Sequence, residues 1–233
     1  MRLGIIGAMR EEVSFFLEEA EGLVQEKKGN ITFHTGIWQN HDVVICQCGV
    51  GKVNAAMTAQ ILIDVFNVKG IIFTGVAGAL DERLDVGDIV ISTSCQEHDI
   101  DASPLGFEKG KIPMYDGTSV FPADETLIQK AYTAANNYSN KNVKVEMGKI
   151  VSGDQFIANK SEVKQLREQF NALCVEMEGA ALGHVANFNN IPFVVIRSIS
   201  DNANGEAPES FESFVVKVAN QSSKIVEGLL KLL

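Results

Sequence analysis

Hydrophobic positions follow two spacings that alternate along the chain. Short apolar runs typical of buried strands cover residues 3–7, 31–38, 42–48, 70–74, 88–92, 144–151 and 192–197. Helical spacing, in which apolar residues recur every three or four positions, covers residues 9–21, the segment from 52 to 66, 123–137, 161–170, 177–189 and 208–232. Strands that alternate with helices predict an α/β fold whose sheet is covered on both faces.

A single domain over residues 1–233 is expected, because no linker, repeat or low-complexity tract divides the chain. Residues 99–122 contain three of the five prolines and form the longest predicted loop region. A chain of 233 residues is long enough to bury a core without disulfides or a structural metal.

The charge of the chain argues against two classes of partner. Thirty acidic and 20 basic residues leave a formal charge of -10, which repels phosphate backbones and anionic membrane surfaces. The apolar stretch 3–9 is too short for a signal-peptide core, and no run approaches the ~18 residues of a membrane span. We therefore expect neither nucleic acid nor membrane as a partner.

The cysteines and histidines do not form a recognisable metal site. The four cysteines lie at positions 46, 48, 95 and 174 and form no CxxC pair, which is typical of reduced thiols in the cytoplasm. His98, Asp99 and Asp101 are close in sequence, but no second cluster with ligand spacing accompanies them. No metal is expected.

Glycine-bearing segments at 4–9, 49–51 and 74–78 each follow a predicted strand. Tight strand-to-helix turns would explain each one singly. In an open α/β sheet, however, ligands bind at the carboxyl ends of strands, where glycines let the backbone approach them closely. Three such segments favour a pocket. The first lacks the GxGxxG spacing of a dinucleotide fingerprint, so that interpretation is disfavoured.

Two pairs of glutamates lie where helices are predicted to begin. Glu11 and Glu12 open the first helix, and favourable interaction with the helix dipole would account for them as well as a catalytic role. Glu176 and Glu178 flank Met177 at the entrance of a helix rich in small residues. Capping explains one of these two carboxylates and leaves the other in a confined place.

Asp201 and Phe156 each follow a predicted strand. Asp201 lies just beyond Arg197, where an aspartate either starts a turn or stands at the strand end that α/β enzymes use for catalysis. Burial there would raise its pKa and let it hold a proton at neutral pH. Phe156 is either a core residue or a stacking surface for a flat heteroaromatic ring.

Six segments that contain these residues occur in order along the chain: Ile5–Met9 with Glu11–Glu12, Gly49–Ala55, Thr74–Gly78, Val151–Ile157, Val175–Ala181 and Arg197–Ala203. Together they resemble the family of bacterial 5'-methylthioadenosine/S-adenosylhomocysteine nucleosidases, of the purine nucleoside phosphorylase/uridine phosphorylase superfamily. The resemblance runs nearly end to end. It implies a three-layer α/β/α sandwich around a central mixed sheet, a homodimer, and no metal or organic cofactor.

The implied activity is hydrolysis of the N-glycosidic bond of adenosine thioether nucleosides, with water as co-substrate. By this resemblance, Asp201 is the general acid that protonates adenine N7, and Ser200 helps to place it. Glu12 activates the attacking water, and Glu178 binds the ribose 2'- and 3'-hydroxyls. The mechanism requires a protonated Asp201 beside ionised Glu12 and Glu178.

The remaining implied residues bind substrate. Phe156 resembles the base-stacking residue, the Ile157 backbone would read the adenine edge, and Met177 would lie against the sugar with Arg197 nearby. Further positions in the pocket are Met9, Val50, Val76 and Phe211, together with Ala102, Leu105 and Pro113 from the neighbouring subunit.

Four positions depart from the family pattern, and they leave substrate preference open. Val76 stands where the family usually has serine, and Arg10 replaces an acidic residue beside Glu12. Ala102 and Leu105 replace bulkier residues, which would widen the pocket around the 5' substituent. None of these departures removes an implied catalytic group.

Three other functions stay open on the sequence. A purine nucleoside phosphorylase would need cationic side chains for phosphate, yet the chain has only five arginines. A nucleoside-binding protein without catalysis would not need Glu12, Glu178 and Asp201 together. The same hydrolysis could also act on 5'-deoxyadenosine or 6-amino-6-deoxyfutalosine.

Overall fold

The computed structural model describes residues 1–138, 143–202 and 207–233. Ten strands lie within these residues: β1 Arg2–Gly7, β2 Glu21–Lys28, β3 Ile31–Trp38, β4 His41–Gln47, β5 Ile71–Ala79, β6 Ile89–Glu97, β7 Val120–Pro122, β8 Val145–Ser152, β9 Cys174–Glu176 and β10 Phe193–Asp201. The helices of the same part of the chain are α1 Arg10–Glu19, α2 Lys52–Asp64, α3 Glu125–Tyr138, α4 Lys160–Phe170, α5 Gly179–Phe188 and α6 Ala207–Leu232. A short 3-10 helix, Ser103–Leu105, lies between β6 and β7.

The ten strands form one mixed sheet in the order β10, β6, β8, β9, β5, β1, β4, β3, β2, with β7 paired to β6. β1 pairs in parallel with β4 and β5, whereas β2, β3 and β4 form an antiparallel meander. β10 pairs with both β5 and β6, so β5, β9, β8, β6 and β10 close a circuit. The mixed α/β fold is as predicted, but part of its sheet closes on itself instead of staying open.

Side chains of the central strands alternate between two apolar clusters, as the two-residue repeat of a strand requires. In β4, Val43 and Ile45 belong to a cluster that includes buried residues of α1, α3 and α6. Val44 and Cys46 belong to a second cluster, which includes residues of α2 and α5. All four cysteines are buried and free.

Two strands extend further than the sequence predicts. β5 continues to Ala79, so the segment Thr74–Gly78 is strand and the predicted glycine turn is wrong there. β10 continues to Asp201, which is the last residue of the strand and not a residue of the following turn. Both extensions have pairing partners, since Arg197 to Asp201 of β10 lie alongside Gly75 to Gly78 of β5.

The elements that the sequence missed are short or mostly exposed. The predicted first helix reaches residue 21, but α1 ends at Glu19 and β2 starts at Glu21. β2 is an edge strand whose residues are mostly exposed, so no alternation of apolar and polar residues marks it. β7 and β9 have three residues each, too few to show a spacing.

Candidate active site

A cavity of about 260 Å³ opens at the carboxyl ends of β1 and β10, beside residues of β5 and β9. The predicted site residues in its wall are Met9, Glu12, Val50, Val76, Phe156, Ile157, Met177, Glu178, Ser200, Asp201 and Phe211. Its wall also includes Ala8, Ala77, Gly78, Gln155, Val175 and Glu176. The fold thus brings together residues that are up to 203 positions apart in the sequence.

Glu12 is buried in the first turn of α1, and three backbone N–H groups hold its carboxylate. Oε2 accepts hydrogen bonds from the N–H groups of Ala8 (2.6 Å) and Met9 (3.0 Å), and Oε1 accepts one from Val76 (3.1 Å). The bond from Met9 caps α1. Glu12 therefore lies both in the first turn of the helix, where its charge opposes the helix dipole, and in the wall of the cavity.

Glycine is required at position 75 because Glu12 packs directly against β5. A Cβ atom there would lie 2.6 Å from Oε1 of Glu12 and 3.0 Å from Nη1 of Arg197. Since carbon and oxygen normally approach no closer than van der Waals contact, any side chain would push the carboxylate or the guanidinium away.

Arg197 lies behind the cavity wall and forms a buried ion pair with Glu176. It is 1% exposed, donates from Nη2 to Oε2 of Glu176, and places its guanidinium 4.4 Å from the centre of the Phe73 ring. Glu176 also accepts hydrogen bonds from the N–H of Gly179, so it is the carboxylate that caps α5. The structure therefore places Arg197 against a glutamate and outside the lining of the cavity.

Glu178 immediately precedes α5 and reaches across the cavity to the loop before α2. Its Oε1 accepts a hydrogen bond of 2.8 Å from the N–H of Gly51. Gly51 has a φ of 103°, a conformation that favours glycine, and this directs its N–H toward the carboxyl group. Glu178 is the carboxyl group left confined once Glu176 is assigned to capping.

Burial raises the pKa values of both Glu12 and Glu178. For Glu12, burial outweighs the opposing effects of Arg197 and of the three backbone N–H groups. For Glu178, burial and the neighbouring Glu176 raise the pKa to about 8, against Arg197 and the N–H of Gly51. Glu178 is then mostly protonated at neutral pH, whereas the sequence-based mechanism has it ionised.

Asp201 is buried at the end of β10 with its carboxyl group at the cavity. The hydroxyl of Ser200 donates a hydrogen bond of 2.8 Å to its Oδ2. The pairing of β10 with β5 is irregular between Ile199 and Asp201. Such an irregularity changes the direction of the following side chain, and here the carboxyl group lies in the cavity wall.

Apolar groups form the other side of the cavity. The Phe156 ring is 48% exposed and meets the Phe211 ring edge to face, with centroids 5.7 Å apart. Val76 packs with Met9 and Phe211 in a small apolar cluster. An exposed aromatic face beside an apolar surface suits a flat ring with an apolar substituent.

Three predicted residues lie away from the cavity of their own chain. Ala102, Leu105 and Pro113 belong to the segment between β6 and β7, and Leu105 is 66% exposed. They are not among the described residues of the cavity wall. Their contribution to the pocket of a neighbouring subunit stays a prediction.

The sequence predicts neither a role for Gln155 nor the ion pair between Glu176 and Arg197. Glu176 lies three residues before Gly179, where a cap for a helix N-terminus is expected, so its capping role had a local signal. Its ion pair with Arg197 had none, because that contact depends on β9 lying near β10 in the sheet. Gln155 lies in the loop after β8, beside Phe156.

Within the described residues, no group of three or more His, Cys, Asp or Glu side chains could hold a metal ion. The carboxylates of Asp99 and Asp101 instead accept hydrogen bonds, from Lys52 and from the N–H of Ser103. No helix among these residues is both long enough and apolar enough to cross a membrane.

Comparisons with known proteins give one consistent family. Residues 2–231 match the model of the phosphorylase superfamily. The 5'-methylthioadenosine/S-adenosylhomocysteine nucleosidase of Staphylococcus aureus (strain JH9) is 42% identical over 232 residues, which cover 99% of this chain and 100% of the relative.

Two solved structures are also similar along nearly their whole length. The nucleosidase of the same name from Colwellia psychrerythraea 34H, in complex with adenine, is 39% identical with a TM-score of 0.93, and the match covers 99% of this chain and 94% of that one. Futalosine hydrolase of Helicobacter pylori is 34% identical with a TM-score of 0.94, over 100% and 98% of the two chains.

Proposed function

The chain belongs to the phosphorylase superfamily and, within it, to the family of 5'-methylthioadenosine/S-adenosylhomocysteine nucleosidases, and we propose on that basis that it is an N-glycosyl hydrolase. It cleaves the bond between adenine and ribose in 5'-methylthioadenosine and S-adenosylhomocysteine. Water is the second substrate, and the products are adenine and the 5'-thioribose. We include 5'-deoxyadenosine, because part of the cavity wall belongs to an apolar cluster that suits a small apolar 5' group.

The observation that carries this proposal is the convergence of Glu12, Glu178 and Asp201 on one cavity. Cleavage of an N-glycosidic bond needs a proton for the departing base and stabilisation of positive charge on the sugar. Three carboxyl groups in different surroundings can divide these tasks, because the surroundings of a carboxyl group set its pKa.

Asp201 is the group we assign as the acid. In its protonated form it donates to N7 of adenine, so the base departs without a full negative charge. The hydrogen bond from Ser200 to Oδ2 helps to fix the orientation of the carboxyl group.

Glu12 is the group we assign as the base for water. Burial raises its pKa, which makes its ionised form a stronger base than an exposed glutamate. Its three backbone hydrogen bonds hold the carboxylate in place at the junction of β1, α1 and β5.

Glu178 binds the ribose hydroxyls, and it stabilises the sugar as positive charge develops there. A neighbouring positive charge lowers the pKa of a carboxyl group, so charge on the ribose favours the ionised form of Glu178. A pKa of about 8 leaves part of the Glu178 population ionised at neutral pH, and this is the form that we assign to the reaction.

The remaining predicted residues fit binding of the nucleoside. Phe156 stacks on the base, the backbone of Ile157 hydrogen-bonds its edge, and Met177 lies against the sugar. Met9, Val50, Val76 and Phe211 surround the sugar and the 5' substituent. Arg197 acts from behind the wall through its charge.

Hydrolysis is favoured over phosphorolysis, since phosphate needs fixed cations. Neither lysine nor arginine is among the described residues of the cavity wall, and Arg197 is already paired with Glu176. The test is release of adenine from methylthioadenosine, S-adenosylhomocysteine and inosine, with and without phosphate. Release from the two thioether nucleosides that is independent of phosphate is expected, and a rate proportional to phosphate would identify a phosphorylase.

Binding of adenosine in a one-to-one ratio without any release of adenine would instead identify a binding protein. A second substrate belongs in the same assay. The similarity to futalosine hydrolase of Helicobacter pylori favours 6-amino-6-deoxyfutalosine as the alternative nucleoside, with the same bond cleaved.

For the molecule as a whole, we infer one domain built as a three-layer α/β/α sandwich. The two apolar clusters, each with its own set of helices, support that layering. We also infer a homodimer in which Ala102, Leu105 and Pro113 of one subunit complete the pocket of the other. Buried free thiols fit the reducing cytoplasm, and acid–base chemistry by carboxyl groups needs no cofactor.

A further inference from the structure

Two loops contribute to the cavity wall, and each has a different task in the proposed reaction. Residues 49–51, before α2, supply Val50 to the wall and the N–H that holds Glu178. Residues 153–157, after β8, supply Phe156 and Ile157 for the base. Catalysis requires these two loops to keep a fixed distance, because the base and the ribose belong to one rigid substrate.

A closed set of hydrogen bonds outside the cavity joins the two loops. Nζ of Lys52 donates to Oδ1 of Asp99 at 2.6 Å, and Oδ2 of Asp99 accepts from the N–H of Asp154 at 3.0 Å. Oδ1 of Asp154 in turn accepts from the N–H of Lys52 at 2.8 Å. We call Lys52, Asp99 and Asp154 the loop clamp.

Two of the three charged side chains of the loop clamp, Lys52 and Asp99, are shielded from water, whereas Asp154 is exposed. The side chain of Lys52 is 17% exposed and that of Asp99 is 22% exposed. Nζ of Lys52 also donates to Oε2 of Glu97 at 3.2 Å. Hydrogen bonds between ionised groups are the stronger ones, and partial burial strengthens them further.

The charges of this pair are well maintained. Burial disfavours the charge on Lys52, but the hydrogen bonds and charges of Asp99 and Glu97 raise its pKa. Burial likewise disfavours the charge on Asp99, but Lys52 and the N–H of Asp154 lower its pKa. Both groups therefore stay ionised throughout the neutral range.

We propose that Lys52 and Asp99 are positioning residues, which hold the base-binding loop 153–157 in register with the loop that fixes Glu178. None of the loop clamp residues is among the described residues of the cavity wall. Lys52 and Asp99 therefore act on the cavity through Asp154 and Gly51. The kinetic part of this inference rests on the proposed function.

The variants Lys52→Met and Asp99→Asn each remove one charge and keep most of the side-chain shape. We expect the KM for methylthioadenosine to rise about 10- to 100-fold in both, which corresponds to the loss of a charge-assisted hydrogen bond. The kcat should change much less, because base stacking stabilises the ground state and the transition state alike. Lys52→Arg, which keeps the charge, should restore much of the loss.

Lys164→Met is the matched control, since it removes a lysine whose ion pair with Glu168 is exposed on α4. Hydrogen exchange of a peptide that spans residues 153–157 gives a readout independent of turnover. Exchange in that peptide should be faster in Lys52→Met and Asp99→Asn than in the wild type and the control. The double variant should be no worse than the single ones, because the two residues share one interaction.

Unchanged exchange in residues 153–157, or KM values equal to that of the control, would overturn the loop clamp. Faster exchange in all peptides alike would show a purely structural role, and it would overturn the proposal as well. If the wild type releases no adenine, the proposed function fails separately. Adenine affinity measured by calorimetry then replaces KM, and the exchange experiment decides the loop clamp as before.

Discussion

At the scale of single residues, the three carboxyl groups of the cavity differ in what holds them. Glu12 accepts hydrogen bonds from three backbone N–H groups, and Glu178 accepts one from the N–H of Gly51. Asp201 accepts a hydrogen bond from the hydroxyl of Ser200. Backbone donors favour the ionised form of a carboxyl group, and burial favours the protonated form. The balance of these effects, more than the residue type, sets what each group can do.

Replacement of Asp201 by asparagine should lower the turnover number by about 10²- to 10⁴-fold, the range that general acid catalysis supplies. Asparagine keeps the size of the side chain but has no proton to give to the base. Adenine release under single-turnover conditions measures the effect. The control is Asp101→Asn, because Asp101 is exposed and lies outside the cavity. Near-normal release by the Asp201 variant would assign the acid to another group.

Glu178 should make the stability of the protein depend on pH. Its pKa is 4.5 when unfolded and about 8 when folded, so the native state binds the proton more tightly. The stability from Glu178 is therefore fully present below about pH 4.5 and is lost as the pH rises through about 8. Glutamine resembles the protonated form and should not show this loss.

We compare the melting temperature of Glu178→Gln with that of the wild type at the same pH. This difference should shift in favour of the variant as the pH rises from about 5 to about 8.5. Differential scanning calorimetry at both values measures it. The control is Glu11→Gln, at an exposed position, which should have the same melting temperature as the wild type at each pH. A difference between Glu178→Gln and the wild type that stays constant with pH would contradict the raised pKa.

Much of the site could be predicted at this scale, because the resemblance rests on local motifs. Glu12, Glu178 and Asp201 were identified by sequence, and the fold brings them to one cavity. The protonation of Glu178 could not be predicted, since it depends on burial and on the nearby Glu176. The position of Arg197 behind the wall likewise depends on contacts between distant strands.

At the scale of elements, β5 and β10 form the floor of the site. Both strands extend beyond the ends that the sequence predicts. The apolar spacing of each strand stops near residue 74 or 197, where glycine, serine and aspartate begin. Those polar and small residues are typical of turns, so a spacing argument ends the strands too early. Their pairing with each other, visible only in the fold, keeps them extended.

The substitution Gly75→Ala tests how tightly β5 supports Glu12, the proposed catalytic base. Its Cβ atom would lie 2.6 Å from Oε1 of Glu12, so the carboxylate has to move. We expect a large loss of kcat together with a loss of stability of about 1–3 kcal/mol, as for other overpacked sites. Turnover and thermal unfolding measure the two effects, and an unchanged kcat would show that Glu12 need not stay against β5.

At the scale of the whole molecule, the segment between β6 and β7 exposes apolar side chains that contacts within one chain do not cover. Leu105 and Met114 are exposed there although both are apolar, and Met114 has a φ of 53°. Exposed apolar side chains on a loop of irregular conformation are typical of a surface that another subunit covers. This agrees with the proposed role of Ala102, Leu105 and Pro113 in the pocket of the partner.

Mixing two inactive variants tests that arrangement directly. Leu105→Asp should disable the pocket of the partner, whereas Asp201→Asn disables the pocket of its own chain. In a mixed dimer, one pocket then has both an intact Asp201 and an intact Leu105. Random assortment from equal amounts should restore about a quarter of wild-type adenine release, because half the dimers are mixed and each has one complete site.

The matched control mixes Glu12→Gln with Asp201→Asn. Both residues line the cavity of their own chain, so every pocket of that mixture carries one of the two defects and no activity should return. Recovery confined to the mixture with Leu105→Asp requires that a pocket use residues of two chains, because no single chain in it has both groups intact. Absence of recovery in both mixtures, with mixed dimers confirmed by mass, would mean that each chain forms its pocket alone.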